Sequence, residues 1–475
     1  MEQIKKIFND RKARNKLFIT LFFSALVIFL LVFLISGATF TDTSDTNWTA
    51  GTFVNTTTEG TGDGANVTLS GTNSSGTFTS QIFNAGGSST TWNNVSWTPD
   101  IPYQTELPDN MEVETSQGGA NMTGNVLLMH LNNETGYENS TWFYDWSGNG
   151  NNGTCSGTSC PTLTGGKFDT NAYNFSGIAI KYVSIPDSGN EWNFTNRNTT
   201  ISMWVKFDSS PAGTGLISSF TSGPTEGWQV WMQSASVLRV YDTVAGGKNF
   251  AWTPSIGEWH HIILTKDTDL EAFADGVSLG TVSLSNLDNK GSNSLTIGAT
   301  DTAGRQSING TIDEVSIWNR SLSSQEVLDL YKRGAMHLNL SVRSCNDNAC
   351  SGESFSGTYT TNPLILNTTI TPDNQYFQYK FDFATENTSY SPKLMDVVVD
   401  YVLDVCGCPS SGDWEISDGS ACSLTTTCNL GASYFRLWNG SLMISSEGAL
   451  YAKGCFVNES QSLYIANGGK LMCTG

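Results

Sequence analysis

Along most of this chain large apolar residues alternate with Ser, Thr, Asn and Asp, a period of two that turns one face of a strand inward and the other outward. Residues 78–83 and 92–97 alternate in this way, with Gly86 and Gly87 between them as a turn. An apolar run opens at 126–131, and short alternating strands continue to Trp318, punctuated by the turn dipeptides Asp275-Gly276 and Asn309-Gly310. Within 200–207, Ile201, Met203, Val205 and Phe207 share one face and leave Ser202, Trp204 and Lys206 on the other. Trp228, Val230 and Met232 likewise set Gln229, Trp231 and Gln233 apart. The prediction is an all-β protein.

Two stretches break the period. Residues 17–35 are apolar without a charge, just long enough to cross a hydrocarbon core about 30 Å thick. Lys5, Lys6, Arg11, Lys12, Arg14 and Lys16 precede them against Glu2 and Asp10, which keeps the N-terminus inside and places everything after Ser36 outside. The competing reading is a cleaved signal peptide, with small Ser36 and Ala38 before a cut at Thr39. The second stretch is a helix: Ser323 and Glu326 form a capping box, Val327, Leu328 and Tyr331 a stripe, and Gly334 the C-terminal cap.

Length and composition narrow the class. The 475 residues hold several domains, and only 14% are charged, yet the formal balance is −20. An acidic surface repels phosphate, so nucleic acid is excluded as a partner, while cations, sugars and proteins remain. Residues 37–75 are mostly Thr, Ser, Gly, Asn and Asp and are expected to form a stalk. The ten cysteines suit an oxidising compartment. Cys155 with Cys160 and Cys345 with Cys350 close short loops, whereas the pairing of Cys406, Cys408, Cys422, Cys428, Cys455 and Cys473 stays open. Asn47, Asn94, Asn133, Asn174, Asn309, Asn367 and Asn458 begin glycosylation sequons, compatible with a glycoprotein. Near the C-terminus Leu442 recurs as Leu463 and Leu450 as Leu471, the period of two turns of a β-solenoid.

The central stretch carries, in order, VLLMHLNN, DWSGNGNNG, TTISMWVKF, EWHHIILTKD, FADG and NGTIDEVSIWNRSLSSQEVLDLY. This succession resembles the laminin G-like, concanavalin A-like jelly-roll family, the pattern over 310–331 being the most specific part. The resemblance implies two curved antiparallel sheets facing each other. The flanks, GTFTSQIFNAGGSSTTWNNVSWTPDIP before it and LNLSVRSCNDNACSG with NQYFQYKFDFATENTSYSPKLMDVVVDYV after it, resemble the front and back of one discoidin-like sandwich of microbial surface proteins. The expected organisation is a cytoplasmic basic segment (1–16), a transmembrane signal anchor (17–36) and the stalk (37–75). The front half of the sandwich (76–120), the inserted jelly roll (121–335), the back half (336–404) and a Cys-rich repeat (405–475) follow.

The fold hosts lectins, adhesion modules and hydrolases alike, so the sites must decide. Relatives that hydrolyse glycans use paired carboxylates in a Glu-x-Asp-x-x-Glu pattern that is missing here. Asp267, Asp269 and Glu271 have strand spacing but fall where the family has a hairpin turn. His260 and His261 are adjacent and point to opposite faces, and His130 and His337 stand alone, so no enzyme is expected. The resemblance implies calcium at Asp145, Asn149, Asp313 and Glu314, against the plainer reading that Asp145 caps turn amides and the other acids pair locally. Glycan recognition needs exposed aromatic faces beside hydrogen-bonding groups, which selects Trp204 and Trp231 with Gln229 and Gln233. The competing role of these tryptophans is packing under loops or the flanking sandwich. The expected function is a membrane-anchored binding or adhesion protein that recognises a glycan or a surface protein. A passive envelope component and a glycoside hydrolase are the alternatives.

Overall fold

The computed structural model describes residues 38–474 apart from 86–89, 169–170, 177–179, 221–226, 285, 290–292, 301–306, 367–368, 371–373, 404–406, 410–411 and 418–420. The expected membrane segment, the Gly86-Gly87 turn, Asn367 and Cys406 lie outside the described residues. Among the described residues no helix is long and apolar enough to cross a membrane. The chain forms two compact units: Pro99–Leu338 with Ala384–Lys393 make one, and the residues before, between and after these make the other.

The second of these contains a sandwich built from both sides of the insertion. One sheet runs Leu364–Ile365, Thr90–Pro99, Leu394–Leu403, Asn66–Leu69, Thr56–Glu59, with Ala38–Asp42 also paired to Leu394–Leu403. The other runs Thr52–Val54, Ser75–Thr79, Tyr376–Thr385, Met336–Cys345, Ser356–Tyr359, with Phe83–Asn84 paired to Tyr376–Thr385. Aromatic rings from the two flanks interlock in its core, Trp92 lying 4.9 Å from Phe377 and 5.2 Å from Tyr401 between centroids.

The stalk expectation is corrected here. Residues from Ala38 to Leu69 contribute four strands and a helical turn, Asp45–Thr49, whose Trp48 is fully buried and donates its indole N–H to the Ala65 carbonyl at 2.8 Å. The composition argument failed because these Thr-rich strands need few large side chains of their own. The later flank supplies most of the core they close.

The Cys-rich repeat is a three-sided parallel solenoid. Its sides stack Trp414–Ile416, Tyr434–Leu437 and Gly454–Val457; Ala421–Leu424, Ser441–Ile444 and Ser462–Ile465; and Thr427–Asn429, Ala449–Ala452 and Lys470–Cys473. Leu442 pairs with Leu463 and Leu450 with Leu471. A further coil precedes those two, with Ala421 opposite Ser441 and Thr427 opposite Ala449, so its uneven loops hid the period from the sequence. Cys408–Cys428 and Cys455–Cys473 are disulfides, as are the short-loop pairs Cys155–Cys160 and Cys345–Cys350.

The unit around Pro99–Leu338 is a jelly roll of two antiparallel sheets. One runs Gly246–Ala251, Val237–Asp242, Gly227–Ser234, Thr214–Phe220, Leu295–Ile297, Val183–Ile185, Gly153–Thr154, Trp142–Phe143. The other runs Thr162–Thr164, Ala172–Asn174, Gly310–Trp318, Thr199–Phe207, Trp259–Lys266, Leu270–Ala274, Val277–Val282, with Asn125–Met129 also on Gly310–Trp318. Between them lie Ile201, Met203, Val205 and Phe207 from one sheet and Trp228, Val230 and Met232 from the other, the faces that alternation selected. Asp275 and Gly276 make their turn with φ of 52° and 74°. Asn309-Gly310 instead opens a strand, where a Cβ on Gly310 would sit 2.2 Å from the Lys206 carbonyl oxygen.

The helix Ser324–Ala335 lies on the outer side of the second sheet, with Val327 and Leu330 against Leu128, Ile263, Phe273 and Trp318. Its capping box forms, Glu326 N–H donating to Ser323 Oγ at 3.3 Å and Ser323 N–H to Glu326 Oε2 at 2.8 Å. Gly334 is not its cap: it lies inside the helix, which ends at Ala335, and its missing Cβ lets the backbone approach Trp204.

Candidate functional site

Alternation placed Trp204 outward correctly, but the face it occupies is covered. Trp204 is 2% exposed, stacked on His261 at 4.7 Å and near Tyr331 at 6.0 Å, with Lys167 Nζ 4.4 Å from its ring centroid. His261 Nε2 meets Ser202 Oγ at 2.8 Å, and full burial pushes the imidazole down to about 3. The helix was legible in the sequence; that it lies on this tryptophan was not, and a glycan platform on Trp204 is thereby corrected. Trp231 sits on the outer face of the opposite sheet, half-buried between Gly215 and Arg239 on the neighbouring strands. Gln229 is half-buried beside Tyr241, and Gln233 is exposed.

The expected metal residues do not form one ring of ligands. Asp145 Oδ1 accepts the N–H groups of Leu128 and Ser147, both at 3.0 Å, and its Oδ2 accepts that of Asn151 at 2.8 Å. Asn149 Nδ2 donates to Asn125 O at 3.1 Å and Ser147 Oγ at 2.9 Å. These two hold the DWSGNGNNG turn together. Asp313 is buried and accepts the backbone N–H of Lys167 at 2.7 Å and of Glu314 at 3.0 Å; burial, then the adjacent Glu314 charge, holds its carboxyl well above the usual range. Asp267 and Asp269 lie in an exposed turn, Asp269 donating its N–H to Asp267 Oδ1 at 3.2 Å, while Glu271 accepts from Ser278 Oγ at 2.5 Å.

Glu314 belongs to a different group. The strand Gly310–Trp318 bulges where its register against Thr199–Phe207 shifts, and Glu314 adopts a left-handed φ of 48°. Ile312 and Val315 face the core, so the bulge sends Asp313 and Glu314 both to the outer face. Pairing of Val315 with Met129 then brings Glu314 beside His130. His130 therefore does not stand alone. Its Nδ1 bonds Glu314 Oε1 and lies 3.7 Å from Glu106 Oε2, and its Nε2 is 3.0 Å from Asp109 Oδ1. Burial opposes charge on this imidazole, but Glu314, Asp109 and Glu106 outweigh it and its pKa stands well above the ordinary value. His337 likewise has a carboxylate neighbour, Glu386 at 3.6 Å.

Glu106 and Asp109 ride on a strap, residues 99–123, that Arg333 of the helix clamps. The guanidinium meets both oxygens of Glu114 at 2.7 and 2.8 Å and donates to the carbonyls of Thr105 and Glu106, both at 2.5 Å. Between the strap and the strand end lies an open cleft of about 240 Å³. Trp146 forms one wall, with Tyr137 and Tyr144 packed on it at 4.8 and 4.9 Å; Glu106, Asp109, Asn132 and His130 form the other. Tyr137 is 51% exposed, and the Trp146 indole N–H has no partner. Sequence reading missed this site because its members are far apart in the chain and share no local spacing. Only the strand register and the bulge unite them.

Residues 179–328 match a family model described as the concanavalin A-like lectin/glucanases superfamily, and the central domain is a laminin G-like jelly roll of that kind. Among solved structures, the binding domain of Paraclostridial Mosquitocidal Protein 1 is 16% identical over 47% of this chain and 61% of that one, with a TM-score of 0.36. Domain 4 of AbnA, a GH43 extracellular arabinanase from Geobacillus stearothermophilus, in complex with arabinotriose, is 18% identical over 44% and 98%, with a TM-score of 0.34. The receptor binding domain of botulinum neurotoxin D is 14% identical over 44% and 52%, with a TM-score of 0.34. The first and third alignments thus span less than two thirds of the matched chains. No curated protein matches.

Proposed function

We propose that this chain is an exported binding protein, held at the membrane by residues 17–36, whose jelly roll takes a glycan, free or carried by a surface protein, in the cleft under the 99–123 strap. The observation that carries this reading is the pairing of an aromatic wall, Trp146 with Tyr137 and Tyr144, with an opposed row of carboxylate and amide groups. A sugar ring offers one apolar face and a rim of hydroxyls, and the two walls complement these. Export is supported by the disulfides. Binding without catalysis is preferred because Glu106 and Glu314 converge on one imidazole instead of facing each other across the cleft as a glycosidase pair would.

The test is a glycan array probed with the purified chain, with calcium and with chelator. Trp146→Ala should cost on the order of 1 kcal/mol or more of affinity with the fold intact. Loss on Trp231→Ala instead would move the site to the open sheet face. Released sugar would make the cleft hydrolytic, and an array without hits would leave a passive envelope component.

A further inference from the structure

We infer that Glu106, Glu314 and the Nδ1 nitrogen of His130 form a binding site for one divalent transition-metal ion, of the zinc or manganese class, at the floor of the cleft. Their three donor atoms lie within 4.8 Å of one another. Donors around such an ion, each about 2.0–2.2 Å from it, stand roughly 3–3.5 Å apart, so the hydrogen-bonded His130–Glu314 pair would open and Glu106, its Oε2 3.7 Å from Nδ1, would move in. Glu106 is the member placed to move, because its side chain is 26% exposed and it lies on the strap, whereas Glu314 is buried at 2%.

The outer groups fit the same role. Asp109 meets His130 Nε2 at 3.0 Å, which keeps a proton on that nitrogen and leaves Nδ1, bonded to Glu314, as the nitrogen that would exchange its proton for the ion. Asn132 Nδ2 donates to Glu106 Oε1 at 2.5 Å, which orients the carboxylate with Oε2 on the His130 side. With the ion in place of the Nδ1 proton, the two carboxylates and the imidazole carry a net negative charge that a dication offsets. An imidazole among the donors selects a transition metal over calcium, which takes oxygen ligands. Such an ion would keep positions open toward the cleft, where Trp146 lines the opposite wall.

This inference does not depend on a glycan being bound, and it is tested with the metal alone. The full chain, stripped with chelator, is titrated calorimetrically with Zn²⁺ and, separately, with Co²⁺ while the visible spectrum is followed. One equivalent should bind, with Co²⁺ bands showing mixed nitrogen and oxygen coordination. Glu106→Gln should weaken uptake at least tenfold, and Asp109→Asn, which acts through the imidazole, tenfold to a hundredfold. Uptake is read with no sugar present, so a glycan array without hits leaves this test standing and the two readings fail separately. His130→Gln should abolish uptake; because that residue is buried, the strap variant Glu106→Gln keeps the test decisive if the His130 variant does not fold. Uptake equal in the wild type and Glu106→Gln would overturn the inference, as would Ca²⁺ competing at the same affinity as Zn²⁺ or a Co²⁺ spectrum without nitrogen ligation.

Discussion

A methyl group at Gly334 would stand 2.4 Å from the Trp204 ring, closer than any van der Waals contact allows. Gly334→Val should therefore lower stability by about 1–3 kcal/mol or more through overpacking, read as a fall in melting temperature. Trp204→Ala, which empties the same pocket, should cost about 3–5 kcal/mol and act on folding rather than on ligand affinity. Under that tryptophan His261 sets a pH dependence. Burial holds it near 3, with Asp275 raising and Lys167 lowering it, while an unfolded chain protonates its histidines near 6.5. Below 6.5 the unfolded state thus binds a proton that the folded state refuses, so stability falls as pH drops from 6.5 toward 3. Replacing the ring by His261→Phe should flatten that part of the acid limb relative to wild type in denaturant melts at several pH values. An unchanged limb would assign the acid sensitivity elsewhere.

At the scale of elements, the strap carrying Glu106 and Asp109 owes its position to the bidentate Arg333–Glu114 pair. Arg333 is 2% exposed in its side chain and Glu114 21%, so removing the carboxylate leaves an almost fully buried cation without its counter-ion. Glu114→Gln should cost about 3–5 kcal/mol, and the paired change Glu114→Gln with Arg333→Met should recover part of it. Limited proteolysis should cut residues 99–123 faster in the single variant than in the double. Equal rates would mean the clamp does not set the strap. The helix itself was legible from Ser323, Glu326 and its apolar stripe, but Gly334 was assigned the wrong role. A glycine near a helix end reads as a cap by default, and only the neighbouring sheet reveals that it serves close approach.

For the whole molecule, the sheets that combine both flanks predict that residues 38–98 alone are unfolded and gain cooperative structure when residues 339–403 are supplied. Trp92 has lost Phe377 and Tyr401 in the fragment, and Trp48 the surrounding core. Intrinsic tryptophan fluorescence and far-ultraviolet dichroism check this; a folded 38–98 fragment would refute it. The sequence by itself determined the all-β class, the faces of Thr199–Phe207 and Gly227–Ser234, the jelly roll, the two short disulfide loops and the solenoid register. The jelly roll was legible through the resemblance of its ordered motifs to a family, and the others follow from local periodicity or a short motif, which the backbone obeys without knowing its neighbours. Tertiary structure decided the rest. Whether an outward tryptophan meets water or a helix depends on where that helix packs. Whether a Thr-rich segment is a stalk or a strand depends on the core a distant flank supplies. Whether His130 meets Glu106 and Glu314 depends on a strand register and one bulge, and none of these is written in spacing along the chain.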